Sequence, residues 1–492
     1  MPIPVETFFL APGAGGTLQQ QIRAMIADGI LAGRLRAGDK LPSSRRLADH
    51  LGVSRITVTL AYTELVAGDY LTALGRSGHF VSQTAPVRPG LRHPSSPRAS
   101  AVDWTRRVVR DFSGHRIIGR PQDWRSHPYP FIYGQADPAL FDHQNWRQCA
   151  LQALGRRDFD ALTEDYYERD DPMLIEYVLR ALLPRRSIAA EPSEVLLTLG
   201  AQNALWLAAQ VLLGPGRRAV TENPCYTGLR SILGQTGSDV TAVEVDEEGL
   251  PPDRVPDGAD VVFVTPSHQS PTNATMPVDR RLALLERAAR QDFLIVEDDY
   301  EFEMSFLKPA APSLKSLDGE GRVIYVGSFS KSLFPGVRLG YIVAPEAFVR
   351  EARALRGAVF RHPPGHVQRT VAYFLALGHY DAHVNRLHQA FRRRRVVMNE
   401  AIRDAGLTVA GRGAFGGSSF WMAAPEGVDT EDLAQTLRAR GVLIEPGRQF
   451  FAPGREARNC YRLAYSSIAP GKIPEGIARI AEALAERRAG TE

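Results

Sequence analysis

Cysteine is scarce in this chain. Three residues in 492, Cys149, Cys225 and Cys460, are odd in number, far apart and outside any CxxC spacing. That excludes a disulfide framework or a cysteine-built zinc site and leads us to expect reduced thiols in a cytosol. Long apolar runs are missing too: no segment reaches the roughly 18 apolar residues of a membrane span. The opening stretch MPIPVETFFLAPGAGG has no basic region leading into an apolar one. Neither export nor membrane insertion is expected, and the protein is placed in the cytoplasm. An excess of one charge is also absent, with 59 basic against 55 acidic residues, so any nucleic-acid contact must be local. No GxxxxGK[ST] phosphate loop accompanies the acidic stretch VEDDY, which argues against a magnesium-nucleotide site there, and no bound metal is expected.

What is present is enough apolar material, 44% of residues, for two or three domains. In TLQQQIRAMIADGILAGRL, residues Leu18, Ile22, Met25, Ile26 and Ile30 fall on one helical face. LPSSRRLADHLGVSRITVTLAYTEL then gives a serine-capped short helix, a turn at Gly52 and Val53, and a second helix capped by Ser54. Leu47, Leu51, Val53, Val58 and Leu65 can pack inward, which leaves Arg55, Thr57 and Thr59 outward at the start of the second helix. This is the pattern of a helix-turn-helix whose second helix enters a major groove. DYLTALGRSGHFVS reads as two strands around Gly75 to Gly78, a wing. The segment TAPVRPGLRHPSSPRAS lacks apolar periodicity and reads as a linker. We therefore expect a winged helix-turn-helix domain over 15–82, a linker over 83–127 and a larger domain over 128–492.

In the larger domain, strand signals (EVLLTLG, RRAVTENP, DVVFVTPS, FLIVEDDY, RVIYVGSFSK) alternate with helical patterns. That alternation predicts an α/β lobe over about 166–345, a mostly parallel sheet with helices on both faces and ligands at the strands' carboxyl ends. RGVLIEPG and helical stretches predict a smaller α+β lobe over about 346–492, joined by 128–165.

The chemistry gathers around GSFSKSLFPGVRLGY, where Lys331 stands among Ser328, Ser330 and Arg338. A Schiff-base lysine needs an aldehyde cofactor held still, and hydroxyls, backbone amides and an arginine can hold its phosphate. Asp298 and Tyr300, spaced i, i+2, point to one face of an extended segment. A carboxylate there can keep a pyridine nitrogen protonated, and a phenol can donate to a ring oxygen. Gly200, Ala201 and Gln202 lie at a strand-to-helix junction suited to phosphate, and Tyr226 can stack on a flat ring.

In order, TLGAQNAL, ENPCY, TPSHQSPT, VEDDYEFE, GSFSKSLFPGVRLGY and YRLAYSS resemble the motifs of fold-type I aminotransferases dependent on pyridoxal 5'-phosphate. The N-terminal pattern resembles the winged helix of GntR-type regulators. From about Thr17 to Ala485 the chain looks like the MocR subgroup of that family. The resemblance implies that Lys331 forms the internal aldimine, Asp298 pairs with the pyridine nitrogen and Tyr300 meets the ring oxygen. It implies a phosphate cradle of Ser328, Ser330, Arg338 and the amides at Ala201 and Gln202, with Tyr226 on the ring. Arg462 falls where aminotransferases bind a substrate carboxylate. Arg45, Ser54, Arg55, Thr57 and Gly78 would contact operator DNA, and a homodimer would read paired half-sites. Two positions depart from the pattern: Ser270 and Asn273 stand where asparagine and glycine are common.

Three functions compete. One is a transcription regulator sensing an amine or amino-acid effector, such as an α- or ω-amino acid or taurine, by external aldimine formation. Another is an active aminotransferase with an accessory DNA-binding domain. A third is a DNA-binding protein with a cofactor-free scaffold. The Lys331, Asp298 and Arg338 set argues against the scaffold, and the winged helix favours the regulator over the enzyme.

Overall fold

The computed structural model describes residues 3–10, 15–86, 102–109, 112, 121–134, 137–164, 169–411 and 413–489. The chain divides into two compact units, Met1–Asp111 and Phe112–Glu492. Most of the linker expected within 83–127 lies outside the described residues.

In the first unit, α1 (Leu18–Leu31) opens on a capping box, with Thr17 Oγ1 accepting from the Gln20 amide and Gln20 Oε1 accepting from the Thr17 amide. The helix α2 (Ser44–Leu51) is capped by Ser43 and ends at Gly52, whose φ of 66° is the left-handed conformation that closes a helix. The following helix, α3 (Arg55–Ala67), is capped by Ser54. Ile22, Ile26, Leu47, Val58 and Leu65 are buried in one core, each contributing about 1.5–3 kcal/mol. Leu51 and Val53 pack against it only partly buried. Leu18, expected on the apolar face, stays 48% exposed, because it opens the helix and the buried stripe begins one turn later. The wing is an antiparallel hairpin of β1 (Leu71–Ala73) and β2 (His79–Val81), with Leu71 opposite Val81.

The second unit begins its pairing with β3 (Tyr129–Pro130). A seven-stranded sheet then combines β4 (Val195–Thr198), β5 (Arg218–Asn223), β6 (Asp239–Glu244), β7 (Val261–Val264), β8 (Leu294–Asp298), β9 (Val323–Ser328) and β10 (Gly340–Val343). Their order is β4-β10-β9-β8-β7-β5-β6. Only β10 runs antiparallel to its neighbours. Apolar clusters lie on both faces of this sheet: Leu197 and Tyr325 join one, and Leu196, Ile324 and Val326 join another.

A second sheet uses β11 (Thr408–Val409), β12 (Ser419–Ala423), β14 (Glu445–Pro446) and β15 (Cys460–Ala464), all antiparallel. Between them, β13 (Val442–Leu443) pairs in parallel with β3. The helix His379–Asp404 packs on this lobe through Leu387, Phe391 and Met398. All three cysteines are free thiols. Among the described residues no helix is long and apolar enough to cross a membrane.

Candidate functional site

Strands β4, β5, β8 and β9 point the same way and deliver one group of residues from their carboxyl ends. After β4, Gly200 adopts φ 85° and leads into the helix Ala201–Leu212, which no side chain caps. The amides that open such a helix favour an anion. A Cβ on Gly200 would stand 3.7 Å from Ser330 Oγ and 3.8 Å from Arg338 Cζ, so this turn faces both side chains. Arg338, itself at φ 47°, donates from Nη2 to the Leu199 carbonyl at 3.0 Å. A left-handed arginine is a strained backbone, of the kind kept where geometry matters. Ser328 Oγ accepts from the Ser330 amide at 3.2 Å. A guanidinium, two hydroxyls and a helix start thus converge as a phosphate cradle would.

Asp298 ends β8 only 8% exposed, and its Oδ1 has no hydrogen-bond partner. Burial, then the charges of Asp299 and Glu222, push its pKa up to about 8, while Lys331 draws it down. Such an oxygen lacks a donor, and a protonated ring nitrogen would supply one. Its neighbour Asp299 is held from the other face through Oδ2, by Arg186 Nε at 2.7 Å and the Tyr325 hydroxyl at 2.9 Å, while its own Oδ1 is buried without a partner away from the cavity lining. Alternation along the strand separates a structural aspartate from one facing the cavity. Tyr300 donates to the His268 carbonyl at 3.0 Å. Tyr226 donates to Gln202 Oε1 at 3.3 Å.

Lys331 Nζ lies 3.9 Å from the ring centroid of Tyr133, and Arg462 Cζ lies 4.0 Å from the same centroid. Arg462 is 3% exposed, lies 4.7 Å from the Phe450 centroid, and donates from Nε to Glu445 Oε2 at 2.8 Å. Glu445 sits directly opposite Arg462 in the β14–β15 register. Every residue expected for cofactor and effector lines one cavity of about 500 Å³. Sequence reasoning missed Tyr133, Phe450 and Gly228 in that lining and Glu445 behind it. Glu445 had one signal, its strand-end place in LIEPG, but only the register joins it to Arg462. Tyr133 had none, since its hydroxyl partner Glu301 is 168 residues away.

The two departures have different accounts. Asn273 has φ 60°, a conformation asparagine tolerates almost as glycine does, and its Nδ2 donates to the Ser419 carbonyl at 2.6 Å. Ser270 lines the cavity. Gln269 is fully buried and donates to the Pro224 and Ser270 carbonyls at 2.7 Å and 3.0 Å, a structural role. His268 bonds Ser305 Oγ through Nε2 at 3.1 Å.

In the first unit, Arg45 and Arg55 are exposed. The Ser54 hydroxyl is engaged with Thr57, accepting from its amide at 3.2 Å and meeting its Oγ1 at 2.7 Å, so these two side chains act locally as a helix cap. Gly78 takes φ 101° in the wing, where a side chain would be strained. Ile56, 70% exposed, and Leu60, 47% exposed, add an apolar edge to α3.

Residues 18–81 match the model of the gntR family of bacterial regulatory proteins, and residues 147–480 match that of class I and II aminotransferases. The HTH-type transcriptional regulator TauR of Rhodobacter capsulatus is 65% identical over 98% of this chain and 100% of its own. The probable rhizopine catabolism regulatory protein MocR of Rhizobium meliloti is 30% identical over 94% of this chain and 92% of its own. Among solved structures, LysN, an alpha-aminoadipate aminotransferase from Thermus thermophilus complexed with N-(5'-phosphopyridoxyl)-L-leucine, superposes with a TM-score of 0.71 at 26% identity. That match covers 79% of this chain and 100% of LysN.

Proposed function

Because the chain belongs to the MocR-type regulators of the gntR family, a helix-turn-helix unit followed by a class I and II aminotransferase domain, we propose that it is a DNA-binding switch that senses a small amine through pyridoxal phosphate. The observation that carries this reading is the buried Asp298 oxygen without a donor, in the same cavity as Lys331 and Arg462. When bound, pyridoxal phosphate supplies an aldehyde that condenses reversibly with a primary amine, that of Lys331 or that of a ligand. Arg338, Ser328, Ser330 and the amides at Ala201 and Gln202 hold its phosphate. Asp298 faces the ring nitrogen, where a cation opposite would keep the carboxylate ionised. Tyr300 meets the ring oxygen and Tyr226 stacks on the ring.

The effector bears a carboxylate or sulfonate that Arg462 binds, which includes α- and ω-amino acids and taurine. The name TauR of the 65% identical relative is in keeping with taurine. Arg45, Arg55 and the wing at Gly78 contact operator DNA, and two copies read paired half-sites. Effector binding shifts the balance between lobe arrangements, provided one arrangement binds it better than the other. The test is to follow visible absorbance, borohydride trapping on the Lys331 peptide and operator affinity while amines are added. A catalytically active aminotransferase with an accessory DNA-binding domain is the alternative, favoured by the likeness to LysN. Multiple rapid turnovers with an amino donor and a keto acid would select it.

A further inference from the structure

The helix α3 opens on poor helix formers. Its first turns read RITVTL, in which Ile56, Thr57, Val58 and Thr59 are all branched at Cβ, a choice that weakens a helix relative to straight-chain residues. Burial accounts for one of the four, since Val58 joins Ala61, Tyr62 and Leu65 in the core of the unit. Thr57 meets the capping hydroxyl of Ser54. Ile56 and Leu60, one turn apart, stand outside that core at 70% and 47% exposed, so burial returns little for either. The hydroxyls on this outward side are already committed. Thr59 and Thr63 donate their only hydroxyl protons to the carbonyls of Arg55 and Thr59, each at 2.9 Å. Of the exposed side chains at 55, 56, 59, 60 and 63, only the Arg55 guanidinium keeps donors for a base edge. The others present methyl groups and hydroxyl lone pairs.

We propose that Ile56 is a specificity-determining residue of the DNA contact, packing with Leu60 beside it against the C5-methyl groups of thymines in the major groove of the operator. This rests on the reading that α3 is the helix that enters the groove. Of the four bases only thymine presents a methyl group there, and its position distinguishes a T·A pair from an A·T pair. Ile56 lies in the first turn of α3 beside Arg55, at the end of a recognition helix that meets base edges. Arg55 brings charge for a phosphate or a guanine edge, and Ile56 adds an apolar contact that the other bases do not match. A stable protein partner would cover roughly 800 Å² on each side, which two side chains on one helix edge do not supply. A methyl group needs no more than that edge.

The experiment selects duplexes from a random-sequence pool with the full-length protein, then replaces each thymine of the selected half-site, one at a time, by deoxyuridine. That exchange removes the methyl and leaves every hydrogen-bonding edge in place. Covering one methyl changes affinity roughly fourfold, so wild type should lose about three- to fivefold at one or two thymines of each half-site. Ile56→Ala should bind thymine and deoxyuridine alike at the position it faces, and Ile56→Val should keep most of the penalty. Leu60→Ala should lower the penalty at the same or the adjoining thymine. Both positions are exposed, so these changes leave the core of the unit intact. A wild type indifferent to every deoxyuridine, or penalties that survive in both Ile56→Ala and Leu60→Ala, overturns the methyl contact alone. A pool from which no sequence is enriched overturns the placing of α3 in the groove and the methyl contact with it.

Discussion

Arg462→Ala is the obvious probe of the effector anchor, and the structure predicts that it does two things at once. Arg462 and Glu445 form a buried pair, their side chains 3% and 6% exposed, and Glu445 Oε1 has no hydrogen-bond partner. Truncating the arginine leaves a buried carboxylate without its compensating cation, at a cost of about 3–5 kcal/mol. Against a typical domain stability of about 5–15 kcal/mol, that loss alone could empty the site of ligand. Replacing both members together, Arg462→Met with Glu445→Leu, removes the charge imbalance and should restore stability close to wild type. The ligand contact is still missing in the double variant. A hydrogen bond to a charged group contributes about 1.5–3 kcal/mol, so effector affinity should fall roughly ten- to hundredfold. Urea unfolding should rank wild type and the double variant above Arg462→Ala, and effector titration by absorbance should place both variants below wild type. Equal stability of single and double variants would refute the uncompensated-charge argument. Wild-type effector affinity in the double variant would refute the anchor.

Lys331→Ala should abolish the borohydride-trapped cofactor mass without unfolding the chain, and mass spectrometry of the peptide reads it. Asp298 binds its proton more tightly in the folded, cofactor-free protein, with a pKa of about 8 against 3.8. Its contribution to stability is therefore full below about pH 4 and lost as pH rises through 8. Asp298→Asn should gain melting temperature over wild type across that window when cofactor is removed, yet hold pyridoxal phosphate less tightly; a pH series of melts and a cofactor dissociation assay check both. Arg55→Ala should weaken operator binding and leave the cofactor spectrum unchanged, as gel-shift and absorbance measurements would show. Ser54→Ala removes the cap seen at the Thr57 amide and should cost about 1 kcal/mol of stability, measured by thermal melts of the full chain.

The helix pair with its wing, the parallel strands and the residues that gather in one cavity around Lys331 could all be read from the sequence, because each is written in a short window. Helix caps stand next to the helices they cap, and Asp298 and Tyr300 share a face through strand alternation. Two strands of the seven-stranded sheet escaped notice. The edge strand β6 buries little beyond Val243, so its DVTAVE pattern carries almost no apolar signal. The antiparallel β10 hides in the tail of the lysine motif, where Arg338 drew the reading towards chemistry. Leu18 shows the limit of periodicity, which assigns a face but not where its cover begins. Tyr133 and Glu445 were illegible for a different reason: each acts through a partner set by tertiary register, Glu301 and Arg462. No local pattern marks a ring against which two distant cations, Lys331 and Arg462, come to lie.

The central claim is that ligand chemistry at Lys331 and DNA binding by the winged helix are one equilibrium. The most direct measurement titrates taurine into the full-length protein loaded with pyridoxal phosphate and bound to its operator, recording absorbance and DNA affinity in the same sample. The account predicts that both signals move with one midpoint and that no aldehyde product accumulates. A spectral change with unaltered DNA affinity, or steady product formation with a keto acid present, would contradict it.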